Sequence, residues 1–151
     1  MELTKFSDYS LRLLIYLALN DDRLVSLQEV ADAYQISRNH LVKIAGNLNQ
    51  LGYVQATRGK GGGLRLAKAP RDINAGQLVR LTEGDAPLIE CFDPVKNSCC
   101  LSPACVLKGA LKQAENAFYS ELERFTLADL VKRPENLRRQ FPSLSESRVS
   151  E

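Results

Sequence analysis

Residues 26–66 read SLQEVADAYQISRNHLVKIAGNLNQLGYVQATRGKGGGLRL, and this stretch decides the fold. Ser26-Leu27-Gln28-Glu29 has the form of a capping box, the serine accepting from a backbone N–H while the glutamate reaches back to the cap. A helix is therefore expected over 27–34. Ser37 offers a second cap, after which Leu41, Ile44, Leu48 and Leu51 fall on one face of a helix that Gly52 closes. The short connection Tyr34-Gln35-Ile36-Ser37 makes the pair a helix-turn-helix, whose second helix projects its N-terminus outward. The segment after Gly52 makes the assignment more specific: residues 53–58, the glycine-rich 59–63 and residues 64–66 predict a strand, a hairpin and a strand, which form a wing.

Upstream, residues 4–19 carry Phe6, Leu13, Leu14, Leu17 and Ala18 at helical spacing, with Asp8 in the first turn where the helix dipole favours an anion. Downstream, Asn74 caps an expected helix over 75–83 that would bury Leu78, Val79 and Leu81. Pro94, Pro103 and the Asn97-Ser98 pair make residues 91–105 an ordered loop without regular structure. From Pro103 to about Phe125, Leu107, Leu111, Ala114, Phe118, Leu122 and Phe125 recur at helical steps, giving roughly 34 Å of helix. So long a helix in a chain of 151 residues suggests a partner chain. Thr126 opens a short TLADL turn, and the polar segment from Pro134 reads as a flexible tail. The expected fold is mainly α with a small β-hairpin wing: a winged helix-turn-helix over 1–72, a loop and dimerisation helix over 73–131, and a flexible tail over 132–151.

Composition sets outer bounds. A hydrophobic fraction of 44% and a charged fraction of 25% are ordinary for a globular domain, which excludes a disordered or fibrous class. No run of about 18 apolar residues exists, and the opening MELTKFSDYS lacks the features of a signal peptide, so a cytoplasmic protein without a membrane partner is expected. The net charge of +2 says little by itself, but Arg58, Lys60, Arg65, Lys68 and Arg71 follow one another with no acid before Asp72.

That basic stretch adjoins a helix start suited to DNA. Ser37, Arg38, Asn39 and His40 open the third helix with polar groups aimed at solvent. Arg and Asn read guanine and adenine edges with two hydrogen bonds each, and Lys43 suits a phosphate. In the wing, Arg58 and Lys60 supply charge, while Gly61 and Gly62 let the backbone approach a phosphate or the minor groove. A solvated polar helix end would explain the first cluster alone but not the adjoining glycine-basic hairpin. The nucleotide-binding pattern G-x-x-x-x-G-K-[ST] is absent, and a strand rather than a helix comes after the glycines. A double-stranded DNA partner is expected.

All four cysteines lie within the fifteen residues from Cys91 to Cys105. In a reducing compartment that clustering points to a metal rather than to disulfides. C-x2-C pairs are missing, which disfavours zinc. Cys91, Cys99 and Cys105, spaced by seven and five residues, suit the larger cage of an iron-sulfur cluster, with Cys100 adjacent to the second. Buried hydrophobic cysteines are the bland alternative. Three thiolates leave a fourth ligand to find, and an oxygen ligand is preferred because the sole histidine, His40, lies on the DNA-facing helix. No thiol-imidazole pair is evident, so no catalytic residue is assigned and an enzyme is not expected.

The segments FSDYSLRLLIYLA, SRNHLVKI, TRGKGGGLRLAK and CLSPAC, with a long helix and TLADL after them, closely resemble the NsrR-type nitric-oxide-sensing repressors, whose superfamily also holds the iron-sulfur-cluster regulator IscR. The resemblance spans roughly residues 1–131. It implies a homodimeric repressor whose intact cluster favours operator binding and whose reaction with nitric oxide releases it. By this resemblance Cys91, Cys99 and Cys105 are the cluster cysteines and Cys100 is an extra. Asp8 of the partner's first helix is the fourth ligand, and Arg12, one turn on, pairs with Asp8 or couples cluster to DNA domain. A [4Fe-4S] cluster is favoured over [2Fe-2S]. A sensor of cluster supply or redox state, and an iron-sulfur delivery or electron-transfer protein, are the competing readings.

Overall fold

The computed structural model describes residues 1–141 and has the order α1 (Lys5–Leu19), α2 (Leu27–Tyr34), α3 (Arg38–Gln50), β1 (Val54–Thr57), β2 (Gly63–Leu66), α4 (Ala75–Glu83), α5 (Val106–Leu122), α6 (Leu127–Leu130) and α7 (Pro134–Arg138). The strands pair antiparallel, Val54 opposite Leu66 and Thr57 opposite Gly63. This is the expected mainly helical fold with its hairpin wing. Among the described residues no helix is long and apolar enough to cross a membrane.

Each helix start has a local cause. The Thr4 hydroxyl accepts from the Ser7 N–H, Ser26 from Glu29 and Asn74 from Gln77, which satisfies N–H groups the first turn leaves without partners. The Glu29 carboxylate accepts from the Tyr16 hydroxyl and pairs with Arg23, tying α2 to α1. Between α2 and α3 the chain turns through Gln35 at φ 55°, a left-handed position held by a non-glycine residue.

The apolar faces converge on one core: Leu13, Leu14, Tyr16 and Leu17 of α1, Val30 of α2, Leu41, Ile44 and Leu48 of α3, and Leu64 of β2, joined by Ile73, Leu78 and Leu127. Burying each leucine contributes roughly 1.5–3 kcal/mol. Leu81 departs from expectation and is 55% exposed. It lies two residues, about 200°, round α4 from buried Val79, so one face cannot bury both.

Two junctions fix α4. Its end closes on the start of α1, where Glu83 accepts from the Thr4 N–H and hydroxyl, both at 2.9 Å, and Thr82 meets Ser7 at 2.7 Å. Its beginning closes on the end of α5: Asn74 Nδ2 donates to the Glu123 carbonyl at 2.7 Å, Arg80 pairs with the Glu123 carboxylate at 2.7 Å, and the Arg80 guanidinium lies 4.2 Å from the Tyr119 ring centroid. Gly76 sits against Glu123 with no room for a side chain.

The helix expected from Pro103 begins at Val106, because Ser102–Ala104 forms a separate 3-10 turn and Cys105 is extended before capping α5. None of the seventeen residues of α5 is buried, and Val106 and Leu107 stand open to solvent.

Part of the segment 132–151 expected to be a flexible tail is folded. Pro134–Arg138 forms α7, Arg138 donates two hydrogen bonds to the Leu19 carbonyl, and Phe141 is 8% exposed. The Phe141 ring meets Tyr16 and Tyr34 edge-on at 5.4 and 5.1 Å. One aromatic residue with a buried place to go outweighs the polar composition around it. Residues 142–151 of that expected tail lie outside the described residues.

Candidate functional site

The exposed face expected to meet DNA is what α3 leaves after burying Leu41, Ile44, Ala45 and Leu48. Ser37, Arg38, Asn39, His40 and Lys43 are all exposed, and the side chains of Arg38, Asn39 and Lys43 form no hydrogen bond or ion pair among the described residues. Ser37 occupies the cap position, yet its hydroxyl accepts no backbone N–H and is left for another partner. His40 lies beside Tyr9, ring centroids 6.4 Å apart. From Arg38 to Arg71 the chain carries seven cations and no acid, a longer basic run than the wing alone indicates.

The wing is anchored rather than free. Val25 donates to the Leu64 carbonyl at 2.9 Å and accepts from its N–H at 2.7 Å, and the Lys68 ammonium lies 4.5 Å from the Tyr53 ring centroid. Its tip, Arg58 to Gly62, presents exposed Arg58 and Lys60. Gly61 holds φ 77°, as a glycine tip requires. Gly62 has another reason to be glycine: a Cβ there would lie 2.2 Å from the Thr57 carbonyl oxygen, so its role is to let the hairpin close on itself.

On α1, Asp8 and Arg12 form a two-point pair, Nε to Oδ1 at 2.9 Å and Nη2 to Oδ2 at 2.8 Å. The hydrogen bond to Asp8 raises the guanidinium pKa. The Arg12 guanidinium stands 5.6 Å from the Tyr9 ring and 5.8 Å from the Tyr34 ring, and the Tyr34 hydroxyl donates to the Arg12 carbonyl at 2.9 Å. Burial pushes the Tyr34 hydroxyl pKa well above its ordinary value. Both charges are about two-fifths exposed, 41% and 42%, so the pair adds little stability. Its interest is positional: both carboxylate oxygens of Asp8 are engaged.

The cysteine loop is ordered by side chains that accept from its backbone. Glu90 takes the Ser98 N–H and hydroxyl, both at 2.7 Å, which lowers its pKa; Asp93 takes the N–H groups of Val95 and Lys96, and Asn97 that of Cys99. The Lys112 ammonium lies 5.0 Å from the Phe92 ring centroid and ties the loop to α5. Cys91 and Cys105 are half-buried, Cys99 and Cys100 exposed, and all four thiols are free. Cys105 caps α5, its sulfur accepting the Lys108 N–H at 3.4 Å. Among the described residues no three His, Cys, Asp or Glu side chains converge as a metal site, so Cys91, Cys99, Cys105 and Asp8 are not brought together within one chain.

A family model described as "Rrf2: Iron-dependent Transcriptional regulator" matches residues 3–133. The HTH-type transcriptional regulator NsrR of Bacillus subtilis (strain 168) is 49% identical over 138 residues, covering 91% of this chain and 94% of that one. NsrR of Bacillus licheniformis is 47% identical over 140 residues, covering 92% and 98%. The solved structure of T. potens IscR superposes with a TM-score of 0.70 at 26% identity, covering 87% of each chain. With its winged helix-turn-helix and a match that runs through the cysteine loop, the chain belongs to the Rrf2 family of transcriptional regulators.

Proposed function

We propose that this chain is a homodimeric repressor whose operator binding is set by an iron-sulfur cluster on the 91–105 loop and released by nitric oxide. The observation that carries the reading is the loop itself, where four free thiols stand on a backbone held by Glu90, Asp93 and Asn97. Soft thiolate donors fit iron-sulfur ligation, so the donor set suits the group. Cys91, Cys99 and Cys105 would hold it, with Asp8 of the partner subunit as the fourth ligand. When bound, the cluster supplies iron open to attack by nitric oxide, [4Fe-4S] being favoured over [2Fe-2S].

The chain's own residues supply the rest. Asp8 has both oxygens on Arg12, each with a further lone pair, so Arg12 would orient the carboxylate while it served as a ligand. The Asp8–Arg12 pair would then couple the partner's cluster loop to α1, which packs on α3. A dimer is supported by α5, whose exposed Val106 and Leu107 ask for an apolar partner surface. Two copies of α3 would enter successive major grooves about 34–36 Å apart on a near-palindromic operator. Ser37, Arg38, Asn39 and His40 would read bases there, with Lys43, Arg58, Lys60, Gly61 and Gly62 on the backbone.

The test is anaerobic purification, then absorption, native mass spectrometry and operator shift before and after nitric oxide. Wild type should lose its visible spectrum and its shift together. Cys91→Ala, Cys99→Ala and Cys105→Ala should be colourless and Cys100→Ala coloured. A colourless Cys100→Ala protein overturns the ligand assignment. Operator binding that ignores nitric oxide but falls on iron depletion transfers the function to sensing of cluster supply.

A further inference from the structure

We infer that a groove between the first turns of α1 and the recognition helix seats one sugar-phosphate strand of the bound duplex, with Lys5 and Lys43 clamping a phosphate. This rests on the reading of α3 as the DNA-reading helix and adds to it a contact from α1.

The groove is an open cavity of about 210 Å³ lined by Lys5, Phe6 and Tyr9 of α1 and by His40, Lys43 and Ile44 of α3. Its walls are largely hydrocarbon, yet its mouth carries two exposed lysines, neither in an ion pair among the described residues. Among the described residues no carboxylate lines it. The nearest acid along α1, Asp8, is neutralised by Arg12. Two ammonium groups without counter-charge are complementary to phosphate, and an apolar wall behind them suits deoxyribose better than a free, fully hydrated anion.

Position supplies the second reason. Lys43 lies one turn on from the exposed Asn39 and three residues from the exposed His40, so the groove borders the exposed surface of α3. A helix lying in the major groove is flanked by the phosphate walls of both strands. The first turn of α1 stands where one wall would pass, and the Phe6, Tyr9 and Ile44 side chains would pack on its sugars.

Each neutralised phosphate contributes about 0.9 to the slope of log affinity against log salt. Lys5→Gln, which removes one contact from each subunit of the dimer, should therefore reduce that slope by about 1.8 on a mixed-sequence duplex and on the operator alike. Between low salt and fourfold higher salt, wild type should lose about 12-fold more affinity than the variant. Lys5→Arg should restore the wild-type slope, and because Lys5 is exposed the thermal midpoint of both variants should match wild type. Lys60→Gln and Arg38→Ala, measured alongside, report on the underlying reading. If they weaken binding while Lys5→Gln keeps the wild-type slope, the groove inference falls alone. If all three leave binding unchanged, the DNA-reading face falls with it. A Lys5→Gln loss confined to the operator overturns the backbone contact in favour of base reading.

Discussion

Replacing Gly76 with alanine tests whether the α4–α5 junction is as tight as its geometry indicates. A Cβ at this position would lie 2.5 Å from the backbone nitrogen of Glu123 and 2.8 Å from its Cα. Ordinary contact begins near 3.4 Å, so the gap must open by about 0.9 Å (3.4 minus 2.5), and the obstructing atoms are backbone that no rotamer change removes. Such overpacking costs about 1–3 kcal/mol. Opening the gap also stretches the 2.7 Å hydrogen bond from Asn74 to the Glu123 carbonyl, about 1 kcal/mol more if lost. Against this stands the helical preference for alanine, at most about 1 kcal/mol. The net expectation is a loss of about 1–3 kcal/mol. Gly46→Ala in α3, where nothing lies within 4 Å, makes the same change without the clash and should gain up to about 1 kcal/mol. Urea unfolding of both variants against wild type decides the matter. If Gly76→Ala is as stabilising as Gly46→Ala, the close approach of α4 to Glu123 is refuted.

Phe141→Ala should cost about 2–3 kcal/mol, below the range for a central phenylalanine because α7 can detach instead of leaving a cavity, and proteolysis should then cut near Pro134; an unchanged cleavage pattern and midpoint would show that the ring is not part of the core. The Glu29 carboxyl is held below its ordinary value chiefly by the hydrogen bond from Arg23, against opposing burial and with help from Tyr16. A depressed folded pKa gives stability that is full above the unfolded value near 4.5 and lost as pH falls through the folded one. Glu29→Gln should therefore flatten the acid limb of stability against pH, and an identical limb in variant and wild type would refute the pairing. Arg38→Ala should cost about 1–3 kcal/mol on the operator and relax base preference, whereas Lys60→Ala should weaken all duplexes similarly; equal losses on operator and mixed duplex for Arg38→Ala would count against base reading.

Most local signals read true and distant ones did not; the local exceptions are Ser37, which stands at its cap position without accepting an N–H, and Pro103, whose expected helix starts at Val106. The caps at Ser26 and Asn74 and the 53–66 hairpin are legible because cause and effect lie within a few residues. The Thr4 cap is local too, but its closure by Glu83, 79 positions away, has no sequence signature. Gly76 looks like a weak helix residue until Glu123 is placed against it. Phe141 follows Leu137 by one turn in an otherwise polar segment, a spacing too short to show its seat against Tyr16 and Tyr34 before folding. At the site, the Asp8–Arg12 pair is expected from one-turn spacing, and the cysteine cluster from bare counting. The groove beside Lys5 required two helices far apart in sequence to be brought together.

The seat of Phe141 also bears on the order in which the molecule can be made. Arg138 reaches the Leu19 carbonyl across 119 positions, and Phe141 covers tyrosines from α1 and α2. Every residue of α3 and of the wing emerges from the ribosome long before that clamp does. A nascent chain with its helix-turn-helix complete in sequence still exposes the Tyr16 and Tyr34 rings, and closing so long a loop is slow compared with local helix formation. The helix-turn-helix is thus among the first parts synthesised and among the last to be sealed, so chains released before residue 141 leave an open aromatic seam rather than a finished winged helix.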